Sequence, residues 1–444
     1  MNRIISVSFL ITFLSYTAFA QLGGMQFYSN EGTNGLTGGM GISWITENGK
    51  TVPYYTLTLM PDLSFGKFGV GLDLNLRINS QDGTIRKVDW ADGAYRKIIR
   101  YVRWGHKHDP LYVRLGALDM ATLGHGFIMS YYSNSPGLDD RRIGAEFDVD
   151  FNKFGFETVY GDFQQAGLIG GRGYVRPLKF TTLAGVPVIG GFEIGATYVT
   201  DQNPNSGVLI ATYNRAAKTD SVIKRTDKIS EFGFDAGLPL LRIPFVDMDI
   251  YYDYATIINF GHGSAVGLKA DFNSLGLVTA SVKVERQFLG DRFIPEYFDQ
   301  FYELERYTPA SSPFVSKAAF LDSVKGSNGW YGQLIVALMQ NFKIIGFYRG
   351  LDNDSTGGLM HLETRFPNVL PTFVFSAGYD RTKVKNFGDL FKLDEHSLLY
   401  AFLGYKPYPF MTIGMNYYWT FIPENGSYSV QKRVEPRIMF NFVF

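Results

Sequence analysis

The chain has 444 residues, and its 42 Lys and Arg balance 42 Asp and Glu, so the formal net charge is zero. This balance gives no reason to expect a nucleic acid partner. Since the chain contains no Cys, disulfides, thiolate metal ligands and a thiol nucleophile are excluded. An apolar content of 45%, with 16% aromatic residues, excludes a disordered chain.

The first twenty residues have the order of a secretory signal peptide. Arg3 gives a basic start, Ile4–Leu14 is apolar, and Ala18 and Ala20 are small residues at the expected cleavage site. The sequence therefore predicts a signal peptide over residues 1–20 and one exported domain over residues 21–444. No later segment has the roughly 18 consecutive apolar residues of a transmembrane helix.

Apolar and polar residues then alternate along much of the chain. The pattern is clear in Lys67–Asn79, Arg142–Asn152, Val246–Tyr254 and Val278–Glu285. A period of two predicts strands with one apolar and one polar face. Runs of about ten residues are long enough to cross a bilayer at a tilt, whereas strands of soluble sheets average about five or six residues. An exported β-sandwich, with its apolar face inside, stays as the alternative.

Aromatic residues gather at the ends of these predicted strands: Tyr54, Tyr55, Trp104, Trp330, Tyr417, Tyr418 and Trp419. Aromatic girdles and a polar interior are typical of transmembrane barrels. Since lipid offers no hydrogen bonds to unpaired backbone, a sheet that crosses it must close on itself. We therefore expect an all-β, antiparallel transmembrane barrel in which Leu72, Phe147, Ile250 and Val282 face lipid.

The last strand supports this interpretation. Arg437–Phe444 places Ile438, Phe440, Phe442 and Phe444 on one face and ends on an aromatic residue. In this the chain resembles the bacterial outer-membrane β-barrel proteins, without indicating a subfamily. The resemblance implies the outer membrane of a Gram-negative bacterium as location, its lipid bilayer as surroundings, and recognition of Phe440, Phe442 and Phe444 by the barrel assembly machinery.

Turn signals give the number of strands. Nine junctions rich in Gly, Pro, Asn and Asp predict short periplasmic turns: Gly66–Gly69, Lys107–Pro110, Asn152–Gly155, Ala184–Pro187, Leu241–Pro244, Asn273–Gly276, Asn341–Lys343, Pro367–Pro371 and Lys406–Pro409. With one further strand at each end of the chain, they predict about 20 strands. The alternative is 18, because the first strand, near Gly39–Ile45, has the weakest pattern.

Longer polar segments between these turns predict external loops. They are Ser80–Gly93, Ala121–Arg141, Asp201–Ile229, Leu289–Asn328, Gly350–Gly357, Thr382–Glu395 and Ile422–Arg433.

Charged residues on the polar strand faces are expected to line the lumen. The acids are Asp73, Glu146, Asp148, Asp150, Asp247, Asp249, Asp253, Asp271 and Glu285, and the bases are Arg77, Arg114, Arg142, Lys269, Lys283 and Arg437. Rings of opposite charge favour polar solutes and sort ions by sign. We expect a mild preference for cations. Ion pairs that only brace the wall are the alternative.

The loop Leu289–Asn328 is the longest. Within it, Pro295–Arg306 predicts a short helix with aromatic pairs at i, i+4 spacing: Tyr297 with Phe301, and Phe298 with Tyr302. Such an aromatic face must be buried, either as a constriction of the lumen, against a ligand, or by packing alone. The loop Ala121–Arg141 is the second that we expect to fold inward.

Other chemistry has little support. Asp352–Gly357 with Glu363 nearly fits a calcium loop, but strands flank it and a solvated acidic turn is favoured. Asp119, His125 and Ser130 lie close in sequence, yet nothing indicates a base oriented by a third group. We therefore expect no enzyme, metal or cofactor.

The leading hypothesis is a porin-like channel for passive passage of small polar solutes through a charged, loop-constricted lumen. A non-channel scaffold or secretion-associated barrel, and a ligand-specific transporter or receptor, are the alternatives.

Overall fold

The structure is a computed structural model. It describes residues 34–47, 50–90, 98–135, 142–165, 167–214, 219–275, 278–307, 316–338, 342–352, 358–394, 396–424 and 427–443. The predicted signal peptide, residues 1–20, lies outside the described residues.

Strands dominate the described chain. In order they are β1 (Gly35–Glu47), β2 (Lys50–Phe65), β3 (Phe68–Leu72), β4 (Leu74–Asn79), β5 (Ile99–Trp104), β6 (Leu111–Gly116), β7 (Gly144–Asp150), β8 (Phe154–Tyr160), β9 (Leu168–Val175), β10 (Glu193–Asp201), β11 (Val208–Asn214), β12 (Thr219–Arg225), β13 (Ser230–Ile243), β14 (Val246–Ile257), β15 (His262–Leu275), β16 (Val278–Leu289), β17 (Ser327–Leu338), β18 (Phe342–Leu351), β19 (Gly358–Leu370), β20 (Phe373–Val384), β21 (Ser397–Tyr408), β22 (Met411–Glu424) and β23 (Ser427–Val443).

Twenty-one of these strands form one antiparallel sheet that closes on itself, because β1 pairs with both β2 and β23. β3 and β4 both pair with β2 and are separated only by Asp73, so they form one interrupted crossing. The barrel therefore has 20 crossings. The prediction of 20 strands is confirmed, and the alternative of 18 is wrong.

The two faces of the sheet differ as a membrane barrel requires. Phe147 and Ile250 point outward and are 40% and 39% exposed. Charged side chains such as Arg77, Glu146 and Asp253 point inward and are buried. The predicted outward apolar face is confirmed, and the soluble sandwich is wrong. Tyr54, predicted for the aromatic girdle, is instead buried on the inner face.

Most connections at one end of the barrel are tight. The turn after β2 contains only Gly66 and Lys67, and Gly66 takes a positive φ of 62° that suits Gly. The predicted tight turn at Ala184–Pro187 is wrong, because residues 176–192 form a longer connection. It contains three short 3-10 helices: Pro177–Phe180, Thr182–Gly185 and Ile189–Gly191. We call this end, where both described chain ends lie, the turn side.

The opposite end carries the long loops. The predicted loop Asp201–Ile229 contains a separate hairpin of β11 and β12. The predicted loop Ile422–Arg433 is wrong, since β22 and β23 continue through most of it. Among the described residues, no helix has the length and apolar character needed to cross a bilayer.

Candidate functional site

Two long loops pair with each other through their backbones. We call residues 117–135 loop A, and residues 290–307 together with 316–326 loop B. The amide of Glu296 donates to the Phe127 carbonyl at 2.7 Å, and the amide of Phe298 donates to the Ile128 carbonyl at 3.2 Å. The amide of Ser130 returns a bond to the Phe298 carbonyl at 3.3 Å. The two loops therefore form one folded unit.

This unit has its own apolar core, which includes side chains of the barrel wall. Its buried members are Leu118, Ala121, Leu123, Phe127, Ile128, Met129, Tyr132, Val159, Leu168, Val199, Ile229, Ala255, Ile257, Ala265, Phe293, Tyr297, Phe298, Tyr302, Ala318 and Leu321. Val159, Val199, Ala255 and Ala265 lie on strands β8, β10, β14 and β15. We call the contact of these four wall residues with the loops the apolar layer. The loops therefore fold into the barrel.

The predicted aromatic residues form the centre of this core. Tyr297, Phe298 and Tyr302 are at most 1% exposed, and the ring centroids of Phe298 and Tyr302 are 4.8 Å apart. Phe301 stays partly exposed. The rings of Tyr297, Phe298 and Tyr302 are therefore covered by protein.

The predicted helix over Pro295–Arg306 is wrong in extent, because helix is present only at Tyr302–Glu305. The backbone before it pairs with loop A, and Glu296 has a positive φ of 54°, which no α-helix accommodates.

The loop core also contains a cluster of buried charged side chains. Glu303 accepts hydrogen bonds from Tyr132 Oη and Arg306 Nη2, both at 2.6 Å, and also pairs with Arg142. Arg306 pairs with Asp201, which accepts a 2.7 Å bond from the Tyr302 hydroxyl. Burial raises the pKa of Glu303, although the two guanidinium groups oppose this. Arg142, predicted to line the lumen, therefore belongs to the loop cluster.

On the turn side of the apolar layer, the tip of loop A contacts charged residues of the barrel wall. His125 Nδ1 lies 2.9 Å from Asp253 Oδ1, and its ring stacks on Tyr251 with centroids 4.1 Å apart. Lys283 Nζ donates to the His125 carbonyl at 2.8 Å and lies 2.7 Å from Glu285. Burial opposes the charged imidazole, but Asp253 outweighs it and raises the pKa of His125.

Arg172 joins several acids at the same level. Its guanidinium is bidentate to Asp235 and lies 2.6 Å from Glu193 and 3.4 Å from Glu157. Glu157 also accepts a 2.8 Å bond from the amide of Gly124 in loop A. A Cβ at Gly124 would lie 2.9 Å from Arg172 Nε, so the close approach needs Gly. We call the contacts of loop A with Glu157, Arg172, Asp253 and Lys283 the charged layer.

Contacts further round the wall hold both loops. The Tyr131 hydroxyl of loop A accepts a 2.6 Å bond from Gln333 on β17. Glu296 of loop B forms a 2.6 Å ion pair with Arg349 on β18. Asp119 of loop A also pairs with Arg100 on β5 and Arg114 on β6, so the loop unit contacts the wall from β5 to β18.

Of the predicted lumen residues, Asp253, Lys283 and Glu285 come together at the charged layer. Most others pair with residues outside the charged layer: Asp73 with Asn75 (2.7 Å), Arg77 with Asp89 (3.1 Å), Arg114 with Asp119 of loop A (3.0 Å), Glu146 with Tyr112 (3.0 Å), Asp148 with Lys107 (2.7 Å), Asp150 with Arg176 (2.9 Å), Asp247 and Asp249 with Arg242, Lys269 with Asp271 (3.0 Å), and Arg437 with Glu435 (3.8 Å).

Sequence reasoning missed Arg172, Asp235, Glu157 and Arg349. Arg172 stands between Gly171 and Gly173, where the glycines indicated tight barrel curvature or small lumen-facing positions. Its role as an ionic centre depends on partners from three other strands.

The residues considered for catalysis have separate partners. Asp119 pairs with Arg100 and Arg114, whereas His125 pairs with Asp253. Within the described residues, no group of three or more His, Asp or Glu side chains has the geometry of a metal site. Asp352 pairs with Arg286, and residues 353–357 of the calcium-like turn lie outside the described residues.

The predicted assembly residues lie on the closing strand β23. Phe440 is opposite Gly38 and Phe442 is opposite Leu36. The Phe442 ring stacks on Phe410 with centroids 4.9 Å apart. Phe444 lies outside the described residues.

No protein-family model and no curated protein matches the chain. Solved structures with similar folds include Pseudomonas aeruginosa OccK11 (OpdR), at 10% identity and a TM-score of 0.33, covering 94% of this chain and 98% of that one. A BenF-like porin from Pseudomonas fluorescens Pf-5 has 10% identity and a TM-score of 0.36, covering 93% and 98%. CdiB from Acinetobacter baumannii has 6% identity and a TM-score of 0.31, covering 92% of this chain and 60% of that one.

The closed sheet of 20 crossings, its outward apolar face and its charged interior define the class of protein. The chain is a closed transmembrane β-barrel of 20 crossings.

Proposed function

We propose that this barrel is a channel for passive passage of small polar solutes, and that loops A and B narrow its lumen. Transport, rather than catalysis, is its role in this proposal. A barrel of 20 strands is wide enough for a water-filled interior, since porins of 16 to 18 strands have one. The inward charged residues suit polar solutes.

The position of the loop unit carries this proposal. Loops A and B are fixed to the wall between β5 and β18 by ion pairs and hydrogen bonds. On the other side, the inward face of β1–β4 is polar and includes Ser43, Thr56 and Thr58 beside Tyr54 and Arg77. We infer that solutes pass between the loop unit and this polar part of the wall.

Charge near the turn side supports a mild preference for cations. Asp247, Asp249 and Asp271 point into the lumen there together with Arg242 and Lys269, and all five side chains keep contact with solvent. Exposed charges that line a pore raise the local concentration of ions of opposite sign.

Conductance measurements test the proposal. Purified barrel in a planar lipid bilayer should give discrete ion-conducting steps. Arg172→Gln combined with Lys283→Gln should weaken the hold on loop A and increase the unit conductance. Arg286→Gln, at an ion pair with Asp352 on the outward face of β16, is the control and should leave the unit conductance nearly unchanged.

The outcomes separate the alternatives. No conductance from either protein would contradict the channel and favour a scaffold. Conductance only after loop A is released would indicate a barrel that its own loops close. Conductance that a particular solute blocks at low concentration would favour a ligand-specific transporter.

A further inference from the structure

The connection between β9 and β10 is unusual among the described turn-side connections. It covers residues 176–192, whereas the turn between β2 and β3 has two residues. Every residue from Thr181 to Ile189 is exposed, and this stretch carries no charge. Five large apolar side chains point to the surroundings, from 37% exposed at Val186 and Val188 to 58% at Phe180, with Leu183 and Ile189 between them.

The connection is nevertheless folded. The amide of Val186 donates to the Leu183 carbonyl at 3.0 Å, and the amide of Gly190 donates to the Val186 carbonyl at 2.9 Å. Gly191 packs so closely on Pro239 of β13 that a Cβ would lie 2.4 Å from its Cγ. The apolar side chains are therefore presented from a fixed backbone.

Val188 has a strained backbone conformation within this connection. Its φ of 69° and ψ of −65° define a γ-turn, closed by a 2.8 Å bond from the Ile189 amide to the Pro187 carbonyl. This conformation is rare and strained, and it is more so for a β-branched residue.

Outward-facing residues of the lipid-facing belt lie at the two ends of the connection, where Phe154 and Ile194 are both opposite Val175. Phe154 at the start of β8 and Ile194 at the start of β10 face outward beside the connection, and they are 48% and 41% exposed. Lys153 lies 5.0 Å above the Phe180 ring, and Lys179 reaches Asn152. Apolar side chains rimmed by lysines match the boundary between acyl chains and phosphate groups of a phospholipid leaflet.

We propose that residues 177–192 form an interfacial anchor that inserts into the periplasmic leaflet of the outer membrane, with Lys153 and Lys179 at the lipid phosphates. The anchor fixes the depth of the barrel on the side of β8 to β13. It is independent of what the lumen transports.

Spin labelling measures the depth directly, because the chain has no native Cys. The full barrel carrying Val186→Cys with a nitroxide label is reconstituted in vesicles of phosphatidylethanolamine and phosphatidylglycerol. Phe234→Cys, on the lipid-facing surface, and His106→Cys, in the exposed turn between β5 and β6, are the reference positions. Power saturation then compares accessibility to oxygen with accessibility to a water-soluble nickel complex.

We expect the ratio of oxygen to nickel accessibility at Val186 to exceed that at His106 several-fold and to approach that at Phe234. Lys153→Gln with Lys179→Gln should lower the ratio in vesicles containing phosphatidylglycerol. A ratio equal to that at His106 would overturn the anchor. So would low accessibility to both reagents, which indicates a protein cover, or spin–spin broadening that dilution with unlabelled barrel removes, which indicates a second copy.

Discussion

The loop unit meets the barrel wall at two levels that differ in chemistry. Nearer the loop end, Val159, Val199 and Ala255 pack against the buried loop core. Two residues further toward the turn side, the same strands present Glu157, Thr197 and Asp253. The inward face of these three strands therefore changes from apolar to polar between two successive inward-facing residues.

The difference gives the loop unit two kinds of attachment to the wall. Apolar burial is insensitive to pH and is not screened by salt, so the apolar layer holds the loops under all ordinary conditions. An ion pair with a titrating partner, such as that of His125 with Asp253, responds to pH. The charged layer therefore positions the tip of loop A in a way that solution conditions can change, while the apolar layer keeps the unit folded.

The largest effect is expected at the apolar core. Phe298→Ala removes a ring that is 0% exposed and should cost the loop packing roughly 3–5 kcal/mol. Amide hydrogen exchange in loops A and B should then become much faster, and the channel conductance more variable. Phe234→Ala, on the lipid-facing side of β13, is the matched control and should leave loop exchange unchanged. Equal exchange in the Phe298→Ala and wild-type loops would contradict the assigned core.

The next largest effect is expected at the ionic cluster around Glu303 inside that core. Glu303→Gln removes the charge that Arg142 and Arg306 share, at a cost of roughly 1.5–3 kcal/mol for hydrogen bonds to a charged group. Exchange should increase in loop B near residues 302–306 and less in the rest of the loop.

Asp322→Asn is the control for this substitution, because its ion pair with Arg292 is exposed and worth about 0–1 kcal/mol. If both substitutions changed loop B exchange equally, the cluster around Glu303 would not be a particular support of the loop.

At the charged layer, the expected effect is smaller and depends on pH. The pKa of His125 is raised above its ordinary value: burial opposes this, and Asp253 outweighs the burial. The stabilisation by the charged pair is therefore complete below pH of about 6.5 and is lost as the pH rises through the higher pKa of the folded state. Exchange at the tip of loop A should increase over that range.

His125→Gln should abolish this pH dependence, whereas His262→Gln, at the start of β15, should retain it. A tip of loop A with the same exchange protection on both sides of the transition would contradict the role of the His125 charge.

The strands could be predicted from the sequence because a bilayer requires every crossing to alternate outward apolar with inward polar residues. Alternation and turn residues are local signals. The outward face of Val246–Tyr254 could therefore be predicted without knowledge of the neighbouring strands. The first strand was the weakest prediction because Gly38, Gly39 and Gly41 interrupt the apolar pattern, yet β1 closes the barrel.

The candidate site was less predictable because its contacts join distant segments. Arg172 meets Glu157, Glu193 and Asp235 only when four strands are in register. The helix predicted at Pro295–Arg306 failed for the same reason, since pairing with loop A overrides the local i, i+4 pattern. One signal was present: the inward positions change from charged to small apolar residues at Glu157 and Val159, as they do at Asp253 and Ala255.

The smallest effect is expected where neither layer holds a loop, at the turn side of the lumen. Asp249→Asn with Asp271→Asn removes two partly exposed carboxylates. A unit charge in water acts on an ion 4 Å away with only about 1 kcal/mol. The reversal potential in a salt gradient should therefore move slightly toward anions, and loop exchange should stay unchanged. Because the screening length falls from about 10 Å at 0.1 M to about 3 Å at 1 M salt, the shift should disappear at the higher concentration. A shift of the same size at both concentrations would mean that these carboxylates act by shaping the wall and that their charge does not set the selectivity.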